Sequence, residues 1–304
     1  MKKRCLPWNA LPLVALLVWL ESPVTAAPSG VEHVVIVGCD GMSPNGILKA
    51  KTPVMNQLMK EGAYTLHARG VMPTTSSPNW ASMIMGAGPE QHGVTSNDWE
   101  TNKFEITPVA IGSGGMFPTI FGVLREQRPK SVIACFHDWN GFGRLLEKKA
   151  LDMLEDSDGP TNAVQHAVAY IHQKKPAFTF IHLDHVDHAG HKIGHGTPEY
   201  FESVEVADKL IGDVIQGLKA AGIWKSTILI VTADHGGVNK GHGGATMAEI
   251  EIPWIISGPG VAVGKEIKKP VNTYDTAATV AYVLGLQAPE SWIAKPVVEA
   301  FKNR

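Results

Sequence analysis

Four short segments of this chain are almost continuously apolar and rich in β-branched residues, and each is followed at once by polar or glycine residues. They are Glu32–Gly38, Ser131–Phe136, Phe178–Leu183 and Thr227–Ala233. Runs of this length and composition are typical of strands in a sheet that helices cover on both faces. The four segments are therefore predicted to be buried strands.

The stretches between these strands have the apolar spacing of helices. The predicted helices are Pro53–Glu61, Pro78–Met85, Thr119–Gln127, Thr161–Lys174, Pro198–Ala221 and Thr273–Leu284. Strand and helix alternate along the whole chain, which predicts a layered α/β fold with a mostly parallel central sheet. No internal repeat or linker divides the 304 residues, so we expect a single domain over residues 27–304.

The N-terminal residues have the pattern of a secretory signal peptide. Basic residues 2–4 precede an apolar run, Leu11–Leu20, and Val24 and Ala26 satisfy the small-residue rule for cleavage after Ala26. The run is shorter than the about 20 residues that span a bilayer. We expect residues 1–26 to be removed, with cleavage one residue later or a retained anchor as alternatives. The mature chain would then be exported, to the periplasm in a Gram-negative source.

Net charge and histidine content bear on the partners of the chain. The formal net charge is −2 and no basic block follows the first four residues, so the electrostatic footprint of a nucleic-acid-binding protein is missing. Thirteen histidines are many for 304 residues, and several of them are clustered. This clustering points to a metal ion.

Removal of the N-terminal segment would leave two of the three cysteines, Cys39 and Cys135. Both lie in or beside predicted strands, where single buried thiols are common. We expect two reduced, buried thiols, with a disulfide in an exported chain as the alternative.

Aspartates and histidines follow three of the predicted strands. Asp40 follows the first, the segment 184–191 (DHVDHAGH) follows the third, and Asp234 with His235 follows the fourth. Sites in open α/β sheets form beyond the carboxyl ends of the strands, so these side chains are expected to converge. Carboxylates and imidazoles without thiolates suit zinc, with manganese or iron as weaker alternatives and calcium disfavoured.

The histidine-rich segment offers two pairs at i, i+4 spacing that could chelate an ion from one helical turn. These are Asp184 with His188 and Asp187 with His191. His242 lies further on, in a glycine-rich stretch that permits a sharp turn of the backbone. Spacing alone leaves the choice between the two pairs open.

Four hydroxyl residues, 74–77 in PTTSSPN, precede a predicted helix that has Pro78 in its first turn. Such residues are commonly helix caps. A hydroxyl at this place also lies where the free N–H groups and the dipole of a helix favour an anion. The residues are therefore either caps or include a nucleophile.

Six motifs occur in a fixed order: VVIVGCDGM, PTTSSPN, GPEQHGV, DHAGH, ADHGG with a following GHGG, and PWIISGPGV. In this combination the sequence resembles the alkaline phosphatase superfamily, and within it the type I phosphodiesterase / nucleotide pyrophosphatase branch. The resemblance implies an αβα alkaline-phosphatase-like fold. It also implies two zinc ions beside a threonine or serine nucleophile, with manganese or another divalent metal as alternatives.

The resemblance assigns a ligand set to each ion. One ion would be held by Asp40, Asp234, His235 and the oxygen of the nucleophile, and the other by Asp187, His191 and His242. The family pattern for the second ion is Asp-x-x-Gly-His, which Asp187 and His191 match. The pair Asp184/His188 lacks the glycine and is the alternative.

The resemblance also assigns the nucleophile. The family's Pro-Thr-x-Thr-Phe-Pro-Asn motif aligns its Pro-Asn with residues 78–79, which makes Ser76 the expected nucleophile and Thr75 the alternative. Ser77 then replaces the phenylalanine. Asn97 lies 21 residues beyond Ser76, the spacing of the family's phosphate-binding asparagine.

The implied function is an exported two-zinc phosphohydrolase of phosphodiesterase/nucleotide pyrophosphatase type, acting on small phosphate esters through a phosphoseryl intermediate on Ser76. The alternatives are a phosphomonoesterase, a phosphoryl or phosphoethanolamine transferase, a sulfatase-like enzyme and a non-catalytic zinc-binding protein. Trp80 stands where the sulfatase motif has arginine, which disfavours sulfatase chemistry. The segment Phe136–Leu146 is expected either to help set the substrate or to be an ordinary loop with a buried tryptophan. The candidates for a phosphate-clamping arginine, which are otherwise expected at the surface, are Arg69, Arg125, Arg128 and Arg144.

Overall fold

The structure, a computed structural model, describes residues 27–302. The predicted signal peptide, residues 1–26, lies outside the described residues. Between residues 27 and 302 no helix combines the length and the apolar character that a membrane span requires.

The described residues form one eight-stranded sheet with the order β4-β3-β5-β1-β6-β7-β2-β8. The strands are β1 His33–Cys39, β2 Ala63–Arg69, β3 Ile133–His137, β4 Met153–Asp156, β5 Phe178–Leu183, β6 Thr227–Thr232, β7 Glu251–Ser257 and β8 Lys265–Glu266. Strand β7 runs antiparallel to both of its neighbours, β6 and β2, and all other neighbours pair in parallel. The predicted α/β fold with a mostly parallel sheet is confirmed.

The four strands predicted from apolar runs are β1, β3, β5 and β6, and they lie side by side in the middle of the sheet. Every residue of these strands is buried. A strand covered on both faces must be apolar at consecutive positions, and this requirement produced the sequence signal.

Three of the remaining strands lack a continuous apolar signal because their burial is incomplete. Strand β4 has no buried residue, β8 is exposed, and β2 mixes buried with partly exposed positions. Strand β7 is mostly buried and overlaps the PWIISGPGV motif, so incomplete burial does not explain its absence from the predicted strands.

Eleven α-helices connect the strands within residues 27–302. They are α1 Pro44–Lys49, α2 Pro53–Glu61, α3 Ser76–Met85, α4 Pro89–His92, α5 Ile120–Gln127, α6 Asn140–Gly143, α7 Pro160–Lys174, α8 His185–Lys192, α9 Pro198–Ala220, α10 Met247–Ile250 and α11 Asp275–Val283. All six predicted helices are present, with ends that differ by at most two residues. The short helices were missed because their few turns carry no clear apolar period.

The helices form two layers over the sheet. In one layer α9 contacts both α2 and α7, and in the other α3, α5 and α11 contact one another. Helix α3 packs closely against β1, because a Cβ atom added at Gly38 would lie 2.6 Å from the ring of Trp80. The layered αβα architecture is therefore confirmed. The contact between Trp80 and Gly38 holds α3 close to the carboxyl-terminal end of β1.

Helix α3 begins two residues earlier than predicted. Thr75 is its N-cap and Ser76 its first residue, while Pro78 lies in the first turn. Ser76 is thus the first residue of the helix, with its side chain at the helix N-terminus.

Both described cysteines, Cys39 and Cys135, are buried free thiols, as expected from their strand positions.

Candidate active site

The carboxyl ends of the central strands bring the predicted site residues together. Gly38 of β1 pairs with His182 of β5 and with Thr232 of β6, so the three strands end at the same level. Asp40 and Asp234 follow directly after these ends. At Gly41 the backbone has φ +67°, and its N–H donates to Asp234 Oδ1 at 3.1 Å. Glycine suits this conformation because it has no Cβ to clash.

Asp40, Asp234 and His235 form a fully buried cluster, which we call the buried group. His235 Nε2 lies 3.4 Å from Asp40 Oδ1 and 3.2 Å from Asp234 Oδ2. These two oxygens are buried and have no hydrogen-bond partner among residues 27–302. His235 Nδ1 lies 2.8 Å from the carbonyl of Gly236, and donation there leaves Nε2 with a free lone pair.

The charges of the buried group fit a bound cation. Burial, followed by the nearby Asp40 and Asp187 carboxylates, raises the pKa of Asp234 well above its usual value. Burial acts in the same direction on Asp40, but contacts with His182, His235 and Trp80 outweigh it and lower the pKa. Two unpaired carboxylate oxygens and one imidazole nitrogen are the donors that zinc accepts. A divalent cation would supply the charge that this cluster lacks.

Asp187, His191 and His242 form a second cluster at the rim of the site, which we call the rim group. His191 Nε2 lies 3.2 Å from Asp187 Oδ2 and 3.0 Å from His242 Nε2. The Nδ1 atoms of the two rings lie 2.9 and 2.8 Å from the carbonyls of Lys240 and Thr74. Donation by both Nδ1 atoms leaves two Nε2 lone pairs facing each other.

A proton or a metal ion must lie between those lone pairs. The hydrogen bond with Asp187 raises the pKa of His191 to about 9, so the metal-free chain favours a proton there. Asp187 Oδ1 is buried and, among the described residues, has no hydrogen-bond partner. A divalent cation would replace the proton and use this oxygen.

The two groups adjoin each other. The rings of His235 and His242 are stacked, with centroids 3.7 Å apart and an interplanar angle of 18°. A histidine of the buried group thus stacks directly on a histidine of the rim group, so the two groups form one site.

Ser76 is the hydroxyl that faces this site. Its Oγ lies 3.3 Å from His235 Nε2, and the residue is buried at the start of α3. Thr74 Oγ1 instead donates to the carbonyl of Gly244 at 2.7 Å. Thr75 Oγ1 and Ser77 Oγ are buried without hydrogen-bond partners in the described part of the chain.

Thr74 joins the segment before α3 to the loop that carries His242. Besides its bond to Gly244, Thr74 Oγ1 accepts from the N–H of Gly243 at 3.0 Å, and its carbonyl contacts His242 Nδ1. These three contacts form what we call the Thr74 clasp. The clasp sets the position of His242 relative to Ser76.

Asn97 lies beside the nucleophile segment. Its Oδ1 accepts from the Ser77 N–H at 2.8 Å, which leaves the Nδ2 donor for a ligand. Arg144 is partly exposed, in line with the expected surface position, and it lies against this loop. It donates to the Asn97 carbonyl at 2.6 Å and pairs with Glu100 at 3.1 Å.

The alternative ligand pair does not converge on either group. His188 is exposed on α8, while Asp184 caps that helix. Burial, followed by the charge of Asp40, raises the pKa of Asp184 to about 7. Asp187 and His191 are the pair that the structure brings to His242.

Two buried histidines at the site were not among the predicted site residues. His182 Nε2 lies 3.3 Å from Asp40 Oδ2, and His195 Nε2 lies 3.8 Å from Asp187 Oδ1. Burial lowers the pKa of His195 to about 4. Burial opposes charge on His182 too, but contacts with Asp138 and Asp40 raise its pKa to about 9.

The GPEQHGV motif is structural. His92 Nδ1 accepts from the Val94 N–H, and His92 Nε2 contacts Ser82 of α3 at 2.9 Å. Burial lowers the pKa of His92 to about 3. This neutral histidine ties α3 to the loop that leads to Asn97.

The family model for type I phosphodiesterase / nucleotide pyrophosphatase matches residues 34–114 and 116–242. The chain belongs to this family. The matched residues contain both metal-ligand groups and the Ser76 segment.

A curated relative in this family is mouse ectonucleotide pyrophosphatase/phosphodiesterase family member 1. It is 26% identical over 197 residues, which cover 60% of this chain and 21% of the relative. The chain thus spans about a fifth of that protein's length.

Solved structures of the family share the fold. Human ectonucleotide pyrophosphatase/phosphodiesterase 5 superposes with a TM-score of 0.74 at 16% identity, covering 90% of this chain and 100% of that one. An inactive threonine-to-alanine variant of the murine protein, in complex with AMP, gives a TM-score of 0.68 at 18% identity, covering 85% and 96%. The alkaline-phosphatase-like fold expected from the motifs is confirmed.

Proposed function

We propose that this chain is an exported, two-zinc phosphodiester hydrolase whose nucleophile is Ser76. The observation that carries the proposal is the 3.3 Å approach of Ser76 Oγ to His235 Nε2, beside buried carboxylate oxygens that lack partners. Family membership supports phosphoric ester hydrolysis as the reaction. We assign the domain to residues 27–304, and the N-terminal pattern supports export to the periplasm.

In this proposal each part of the site has one task. The buried group with Ser76 would hold one ion and the rim group the other, and bound zinc would supply Lewis acidity and charge neutralisation. Ser76 Oγ forms a bond to phosphorus as the ester alcohol leaves, which gives a phosphoseryl intermediate. Water then cleaves that intermediate and restores the hydroxyl. Asn97 Nδ2 holds a non-bridging oxygen.

The donor set supports zinc, because it combines carboxylates with imidazoles and no thiolate. Manganese is the alternative, since it accepts the same ligands with a preference for more oxygen donors.

A diester is the favoured substrate because of charge. A phosphodiester carries one negative charge, whereas a monoester carries up to two. Arg144, the arginine beside Asn97, is already engaged by the Asn97 carbonyl and by Glu100. The AMP complex of the murine relative supports a small phosphate ester as ligand.

Comparison of bis-p-nitrophenyl phosphate with p-nitrophenyl phosphate on the zinc-loaded protein tests the proposal. We expect kcat/KM to favour the diester by about tenfold or more, a difference of about 1.4 kcal/mol in transition-state binding. A preference for the monoester would make the enzyme a phosphatase, and transfer of the phosphoryl group to added alcohols would make it a transferase. Cleavage of p-nitrophenyl sulfate, with neither phosphate ester cleaved, would make it a sulfatase. A metal-loaded protein inert to all of these would refute the proposal.

Asn97→Ala should lower kcat/KM for the diester by about 10²- to 10³-fold, the usual loss for one preorganised donor. Asn97→Asp keeps the acceptor for the Ser77 N–H but places a negative charge beside the phosphate, so its loss should be at least as large. Steady-state kinetics on both variants measure the effect. Asn56→Asp makes the same change at an exposed position of α2 and should leave kcat/KM unchanged. Equal losses in Asn56→Asp and Asn97→Asp would contradict the assignment.

A further inference from the structure

We propose that His182 is a positioning residue for the metal site formed by the buried group, acting through Asp40. The inference rests on the proposed function, because it concerns how the chain prepares one of the two metal sites. His182 lies in β5, and nothing in the apolar run FTFIHL marks it as part of a site.

The orientation of the Asp40 carboxylate is the first step. Its Oδ2 accepts a hydrogen bond from Trp80 Nε1 at 2.9 Å and lies 3.3 Å from His182 Nε2. Its Oδ1 faces His235 Nε2 at 3.4 Å. Two donors on one oxygen therefore turn the other oxygen toward the place where an ion would bind.

The second step is the contact of the His182 ring with Asp138, on the side of the ring that faces away from Asp40. Its Nδ1 lies 3.4 Å from Asp138 Oδ1, at ion-pair distance though without hydrogen-bond geometry. Asp138 Oδ1 is fixed in turn by the Asp184 N–H at 2.7 Å. Asp138, His182 and Asp40 thus form a line across the ends of β3, β5 and β1.

The third step is the enclosure of the ring. His182 is fully buried, and its ring centroid lies 4.8 Å from that of Trp80 and 4.9 Å from that of Phe142. Trp139 stacks against it at 6.1 Å. The aromatic walls hinder rotation of the imidazole, so the orientation of Asp40 is set before any ion arrives. Residues that orient a metal ligand in this way are typically worth 10- to 100-fold in metal affinity.

Two substitutions with side chains of similar length distinguish the effect of the hydrogen-bond donor from the effect of the volume of the ring. His182→Gln keeps an N–H donor that reaches Asp40, whereas His182→Met fills the aromatic cavity without a donor. His33→Met is the control, since His33 is a buried histidine at the opposite end of β1, where its Nδ1 contacts the Pro176 carbonyl. Zinc-binding isotherms of the full chain are measured against a competing chelator, and thermal unfolding is measured in EDTA.

We expect wild type and His33→Met to bind two ions per chain. His182→Met should weaken one of the two binding steps by about 10- to 100-fold and leave the other unchanged. His182→Gln should restore most of the loss. Comparable unfolding temperatures in EDTA would show that the effect is on the metal site and not on folding. His182→Asn, whose shorter amide does not reach Asp40, replaces the Met variant if that variant does not fold.

Two-step binding of wild-type strength in His182→Met would overturn the inference, and so would an equal loss in the Gln and Met variants. Failure of the proposed function has a different signature. In that case the wild type itself would bind fewer than two ions or would not turn over phosphate esters.

Discussion

Ser76→Ala is expected to lower phosphodiester turnover by about 10³- to 10⁶-fold, as loss of a covalent nucleophile does in other hydrolases. The reason is geometric, because Ser76 Oγ is the hydroxyl that faces His235 Nε2 at the start of α3. Zinc binding should largely survive, since the buried group keeps three ligands without this oxygen. Single-turnover kinetics with bis-p-nitrophenyl phosphate measure the loss, and zinc analysis of the same sample shows that the site is intact.

Neighbouring hydroxyls serve as matched controls for this prediction. Thr75→Val and Ser77→Ala each remove one buried hydroxyl within one residue of Ser76. Both variants should keep activity within about tenfold of wild type, since neither group is assigned a bond to phosphorus. A large loss in Thr75→Val together with an active Ser76→Ala would move the nucleophile to Thr75.

Asp234→Asn is expected to have opposite effects on the metal-free and the zinc-loaded protein. Without metal, the Asp234 carboxyl is buried against Asp40, and burial followed by that charge raises its pKa. The neutral amide of asparagine avoids the free-energy cost of burying a charged carboxylate beside Asp40. The unfolding temperature of the variant in EDTA should therefore rise by roughly 2–8 °C. When the free zinc concentration is 1,000 times Kd, zinc should raise the free energy of unfolding of the wild type by about 4 kcal/mol. The increase in the variant should be much smaller. Diester hydrolysis should be lost.

The pH dependence gives this prediction a sign. A carboxyl whose pKa is raised on folding stabilises the folded state fully below its unfolded pKa, and this stability is lost as pH rises through the folded pKa. The contribution of Asp234 to the stability of the metal-free wild type should therefore be lost as pH rises above about 4, and Asp234→Asn should lack this component. The advantage of the variant should grow from pH 4 to pH 8, as measured by thermal unfolding in EDTA.

Asp184→Asn is the control, because Asp184 is a partly buried carboxyl at the same edge of the sheet that belongs to neither group. It should keep the full stabilisation by zinc. Loss of one zinc ion in Asp184→Asn would favour the alternative ligand pair Asp184 and His188.

Much of the fold could be predicted because burial on both faces forces a strand to be apolar at every position. The same reasoning failed at β2 and β4, where partly exposed positions interrupt the apolar signal. Helix ends were accurate where proline or a capping hydroxyl marks them, as at Pro53 and Pro198. The start of α3 was placed too late, because the serines before Pro78 were interpreted as flanking residues.

Residue type and position after the strand ends predicted that aspartates and histidines converge. The choice of Asp187 and His191 over Asp184 and His188 came from the resemblance to the family and not from spacing. His182 could not be predicted as a site residue, since its role depends on a contact with Asp40, which is distant in the chain. A histidine inside an apolar strand gives no sign of which face it lies on or what meets it there. Only the register of β1 against β5 brings His182 beside Asp40.

The Thr74 clasp has a consequence for how such a chain can grow. It fastens residues separated by about 170 positions, the segment that leads to Ser76 and the loop that carries His242. Peptide inserted between the two can loop outward while the fastened ends stay in register.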